Sequence, residues 1–211
     1  MQKTNQILYA YWNELRGTRM APRRFEIEPS GMAGILAETF ILERASSHRA
    51  PFRLAGTRIC ESFGRELRGV DFLDLWGDAD RAELEHDLAT AADRGAVIVV
   101  IFEAKAAAGA RVRFEALLLP LFHTRQQVTR FLGAITAIDP PHWLGQEKLN
   151  VGAVIERQTI WPDGRPHTLV ERLDRQSPFL PAAQAARLVR AERRQFRVYD
   201  GGRLDGDSSK R

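Results

Sequence analysis

The chain has 211 residues, 27% of them charged and 44% hydrophobic, a balance that favours a soluble globular protein able to bury a real core. No apolar run reaches the roughly 18–20 residues a bilayer span needs, and MQKTNQILYAYW has no apolar stretch leading into small residues, which argues against a secretory signal. One cysteine, Cys60, excludes an internal disulfide, so a reducing, cytoplasmic setting is expected.

The net charge of +4 is uneven: residues 140–211 hold 13 Lys and Arg against 9 Asp and Glu, and residues 1–139 are neutral. Such a small excess gives weak ground for nucleic-acid binding.

In chain order, Ile7, Leu8, Tyr11, Trp12 and Leu15 recur at spacings of three and four and predict an amphipathic helix over 5–15. Residues 16–24 read as a loop whose arginines are solvated or, alternatively, meet an acidic partner. Ser30 is expected to cap a brief helix carrying Met32, Ile35 and Leu36. Thr39–Glu43 and Phe52–Ala55 read as paired strands around a polar turn. Thr57 is expected to cap a helix with Ile59, Phe63 and Leu67 on one face, ended by Gly69. Phe72, Leu75 and Trp76 suggest a short second helix. A longer one follows from about Asp80 to Arg94, with Asp80 and Glu83 as a near capping box and Gly95 as its C′ residue.

Three strands are then expected, at Ala96–Ala104, Arg111–Phe122 and Phe131–Ile138. The middle one alternates at first and becomes apolar on both faces from Leu117, so its outer face needs a cover. The N-terminal helix supplies one. That assigns Leu8, Tyr11, Trp12, Leu15, Leu117, Leu119 and Leu121 to a cap or dimer interface. The order β-β-α-α-α-β-β-β makes an α+β domain with one five-stranded antiparallel sheet and helices on one face. The division is a helical cap at 1–37, a domain at 38–139, and a basic, partly disordered tail at 140–211 with a helix near 181–195.

Phe63-Gly64-Arg65-Glu66-Leu67-Arg68-Gly69, preceded by the strand Phe52–Ala55 and followed by the apolar stretch Phe72–Trp76, resembles the opening half of a PAS domain. Trp12–Leu15, Pro22-Arg23-Arg24 and Phe52–Thr57 resemble a bacterial subfamily of stand-alone PAS proteins. The resemblance implies a regulatory signalling module that acts through a protein partner or as a homodimer. As an alternative it implies a small-molecule sensor, and a nucleic-acid-associated regulator using the tail is a third reading. Ile59, Phe63, Leu67, Phe72, Trp76, Leu84, Leu88, Val99, Ile101, Phe114 and Ile135 are the expected pocket lining, either around a ligand or collapsed into a dry core.

Catalysis and cofactors find little footing in these residues. None of the five histidines stands at metal-ligand spacing from another His or Cys, and there is no phosphate loop or GxSxG. Light-sensing relatives carry a reactive thiol at the position held here by Phe72, which disfavours a flavin–thiol adduct. His86, where haem-binding relatives place a ligand, falls on the solvent side of its helix. The cofactor is left unknown.

Overall fold

The computed structural model describes residues 1–123 and 127–165. The segment from 166 onward, with the expected helix near 181–195, lies outside the described residues, as does most of the basic tail. Among the described residues, three α-helices, α1 (Lys3–Arg16), α2 (Thr57–Phe63) and α3 (Asp78–Arg94), accompany β1 (Thr39–Glu43), β2 (Phe52–Ala55), β3 (Val97–Ala106), β4 (Arg111–Phe122), β5 (Val128–Ile138) and β6 (Leu149–Ile160). Short 3-10 segments lie at Arg24–Glu26, Pro29–Glu38 and Leu73–Leu75.

The strands form one sheet in the order β2-β1-β5-β4-β3-β6, with every pairing antiparallel. Five strands were expected, and β6 is the sixth. It pairs with β3 along most of its length, from Val97 opposite Ile160 to Ala106 opposite Leu149. The sheet therefore runs well past residue 139 into what the sequence suggested was tail. Most of β6 is exposed, so no buried face imprints a period on its sequence.

Alternation along β4 divides the sheet's two faces. Val112, Phe114, Ala116 and Leu118 enter the larger apolar cluster, shared with α2 and α3. Leu117, Leu119 and Leu121 enter a second cluster with Leu8 and Trp12 of α1 and with Ala21, Ile27, Met32 and Ile35. Leu8 and Trp12 lie on one helical stripe and are fully buried, and Tyr11 and Leu15 pack at the edge of the same cluster. Burying each such side chain is worth ~1.5–3 kcal/mol, and that burial, more than local propensity, holds a 14-residue helix in place.

Polar bonds fix the cap's position. Trp12 Nε1 donates to the Pro120 carbonyl at 2.9 Å, and the Arg16 guanidinium, 4% exposed, holds both carboxylate oxygens of Asp163 at 2.8 and 3.1 Å. The Tyr11 hydroxyl accepts from the Glu28 N–H at 2.8 Å, bracing the segment that leads into β1. In the loop, Arg19 is bound to both oxygens of Glu26.

Helix boundaries depart from the sequence reading in ways that have local causes. Gly56, not Thr57, is the N-cap of α2, with no side-chain cap bond. That helix ends at Gly64 rather than Gly69: Gly64 sits at φ 60 in the left-handed region and donates its N–H to Cys60 and Glu61 carbonyls. Leu67 lies beyond the helix and is still fully buried. Ser30 caps nothing, since the segment from Pro29 begins at Glu28 without a side-chain bond. Asp80 and Glu83 are not a capping box either, because α3 starts at Asp78. Their carboxylates reach β6 instead, Asp80 accepting the Val154 N–H at 3.0 Å and Glu83 pairing with Arg157 at 2.6 Å. Gly95 does stand at the expected end of α3, at φ 72.

Candidate functional site

The helix-side face of the sheet is filled by a continuous chain of aromatic rings. Phe40 meets Phe52 at 5.5 Å between centroids, Phe52 meets Phe72 at 6.0 Å, and Phe72 meets Trp76 at 5.5 Å. Trp76 then meets Phe102 at 5.1 Å, Phe102 meets Phe114 at 5.4 Å, and Phe114 meets Phe63 at 5.1 Å. Four of these contacts are edge-on, and Phe102–Phe114 and Phe63–Phe114 are stacked, geometries that add ~0.5–1.5 kcal/mol each beyond burial.

Backbone and side-chain bonds set the middle of this chain. The N–H of Phe52 donates to Val70, that of Gly69 to Phe52, and that of Phe72 to Ala50. The 69–72 segment is thereby clipped beside β2. Asp71, 6% exposed, accepts N–H groups of Ala50 and Leu73 on one oxygen, both at 3.0 Å. Its bond to Leu73, two residues on, is the turn-forming use of Asp, and it aims Phe72 and Trp76 inward.

Of the expected lining, Ile59, Phe63, Leu67, Phe72, Trp76, Leu84, Leu88, Phe114 and Ile135 come together in the helix-side cluster. Val99 does not: it lies in the cap-side cluster. Ile101 is half-buried and pairs with Glu115, which faces the cap. The inward residues of β3 are Ile98, Val100, Phe102 and Ala104. A run as apolar as VIVVIF hides its own parity, but the polar Glu103 and Lys105 that follow reveal it, since residues two apart share a face. Phe40, Phe52, Phe102 and Asp71 are the site residues that sequence reasoning missed.

One polar atom in the ring chain has no partner: Trp76 Nε1 is buried and unbonded in a residue 7% exposed. Cys60, half-buried beside the cluster, has its thiol pushed up from its ordinary range chiefly by burial, with the Glu66 carboxylate adding to it. It is held as a thiol. Phe72, at the position where the resemblance puts a light-sensing thiol, has its ring packed between Phe52 and Trp76. His86 is exposed. Among the described residues no group of His, Cys, Asp and Glu could hold a metal ion, and no helix is long and apolar enough to cross a membrane.

No curated protein matches the chain. It is similar to a solved LOV protein from Rhodobacter sphaeroides, with 16% identity and a TM-score of 0.40, over 50% of this chain and 61% of that one. The chain thus spans about three fifths of that relative. It is also similar to an RNA-binding light-oxygen-voltage receptor, with 14% identity and a TM-score of 0.41, over 63% of this chain and 38% of that one. A structure described by the words "flavin analogue sheds light on light-oxygen-voltage domain mechanism" matches at 15% identity and a TM-score of 0.41, over 52% of this chain and 85% of the other. A family model described as PAS domain matches residues 1–136, taking in α1, the ring chain and β1 through most of β5. The chain belongs to the PAS domain family.

Proposed function

We propose that the chain is a regulatory signalling module that works through its surface, by contact with a protein partner or with a second copy of itself, in a cytoplasmic setting and without a reaction of its own. The observation that carries this reading is the ring chain from Phe40 to Phe63: the inner face, where a PAS sensor would hold its ligand, is occupied by the protein's own side chains in mutual contact. Regulation then falls to the cap and the outer surfaces. Denaturing mass spectrometry on protein purified gently from cells tests it. The reading expects no small molecule released at one per chain. A stoichiometric ligand, displaced in Phe114→Trp, would overturn it.

A small-molecule sensor is the second reading, favoured by the unbonded Trp76 Nε1. A buried indole N–H usually finds an acceptor, and a compact apolar ligand with one carbonyl or ether oxygen would supply it. For self-association, Leu8 and Trp12 are spent inside the chain, so a second copy would meet the outward side of α1, where Ile7 is 42% exposed. Light scattering at roughly tens of micromolar decides: a mass near the chain's 23.8 kDa removes the homodimer.

A further inference from the structure

The sheet face under the cap carries a buried carboxylate where it meets the first turn of α1. Glu115 on β4 is 3% exposed there. Its Oε1 accepts the Gln2 N–H at 2.6 Å and Asn5 Nδ2 at 2.8 Å, and its Oε2 lies 3.5 Å from the Met1 amino nitrogen. A carboxylate facing these donors only accepts, so the Asn5 amide is oriented by chemistry: Nδ2 must face Glu115 and Oδ1 must face away.

That leaves Asn5 Oδ1 buried without a partner, in a residue with 0% exposure. A second orphan is on the neighbouring strand. Thr136 on β5 is directly opposite Glu115 in the β4–β5 register and so shares its face of the sheet. Its Oγ1 is also buried and unpartnered. Two buried oxygens without hydrogen bonds, one on a side chain bonded to Glu115 and one on the residue opposite it in the register, form an arrangement that folded proteins seldom tolerate. Both can be satisfied by one small molecule with two O–H donors. Amide and hydroxyl oxygens beside a carboxylate give a polar site of the kind in which internal water is held.

We propose that an internal water bridges Asn5 Oδ1 and Thr136 Oγ1 beside Glu115, making a hydrated polar clamp that fastens the first turn of α1 to the sheet. The remainder of α1 is held differently, by the burial of Leu8 and Trp12 and by the Arg16–Asp163 pair. Loss of the clamp therefore frees the start of the cap and leaves its later turns in place.

Thr136→Val in the full chain separates a bridged oxygen from a dry one by the sign of its effect. Valine matches threonine in shape and removes only the hydroxyl. Were Oγ1 dry and unpaired, its removal would raise the melting temperature or leave it unchanged, since a buried unsatisfied group is removed. With the bridge in place, the variant strands the water and Asn5 Oδ1, and the melting temperature falls by about 2–4 °C. In the same variant, hydrogen exchange of amides near the start of α1 quickens several-fold relative to those around Trp12. An unchanged or raised melting temperature overturns the proposal, and so does exchange that quickens evenly along the helix. A crystal structure that finds no water within about 3.2 Å of both oxygens overturns it independently of either variant readout.

Discussion

Trp12→Phe is the sharpest perturbation of the cap. Trp12 is fully buried under the sheet's outer face, its Nε1 donates to the Pro120 carbonyl at 2.9 Å, and the Arg16 guanidinium lies 5.5 Å from its ring. Phenylalanine keeps an aromatic ring there but removes the donor. The Pro120 carbonyl is then left buried and unpaired, at ~1–3 kcal/mol. The smaller ring adds a residual void, and the weaker face toward Arg16 takes away part of a ~0.5–2 kcal/mol cation–π contact. Since these terms share one side chain they do not simply add, and about 2–3 kcal/mol of destabilisation is expected. For a chain of this size that corresponds to about 4–12 °C in melting temperature. Circular dichroism melts should show the drop, with α1 amides exchanging faster. A melting temperature within about one degree of the parent, with α1 protection unchanged, would refute the docked cap.

At Gly133, an added Cβ would meet Phe40 Cζ at 2.2 Å and the Leu117 carbonyl oxygen at 2.3 Å. Because one obstacle is backbone, Gly133→Ala should destabilise by about 1–3 kcal/mol or more, and a neutral urea midpoint would contradict this close approach of β1, β4 and β5. The hydrogen bond from Arg53 is the main reason the Glu43 carboxyl titrates below its ordinary 4.5. A lowered folded value means a contribution present above 4.5 and lost as pH falls through that lowered value. Any stability gap between parent and Arg53→Gln should therefore be present at neutral pH and close in acid, and a gap that widens in acid would contradict the pairing.

Where burial imposes a period, the fold was legible in the sequence. β1 and β4, both largely buried, have the expected bounds, as does β2 around its single buried residue Phe52, and the all-apolar end of β4 required a cover. Legibility failed where the deciding partner is remote. Asp80 and Glu83 look like a capping pair until β6 arrives to take both. Ile59, Phe63 and Leu67 have helical spacing, yet the chain turns at Gly64, where an added Cβ would meet the Lys148 Cα at 2.9 Å. Leu67 reaches the core by a different path. β6 left no alternation to read, because an edge strand with most of its residues exposed is not sorted by burial.

The site was half legible. Phe63, Phe72, Trp76 and Phe114 were found from their spacing, whereas Phe102 was displaced by Val99 and Ile101 through a parity error of one residue. Phe40 and Phe52 sit on strands that sequence reading treated as scaffold, although their rings begin the aromatic chain. Asp71 showed no sign beyond its place ahead of an apolar turn.

Packing at the ring chain is the central claim, and the stability of Phe114→Trp and Leu88→Phe measures it most directly. Both sites are buried, at 1% and 3% exposure, and face the helix-side cluster. In a core already filled by Phe63, Phe102 and Trp76, the larger side chains force their neighbours from their rotamers. Each variant should then lose ~1–3 kcal/mol in urea unfolding. Neutral or increased stability in both would mean that the inner face holds open space, and the claim that the protein fills it with its own rings would fall.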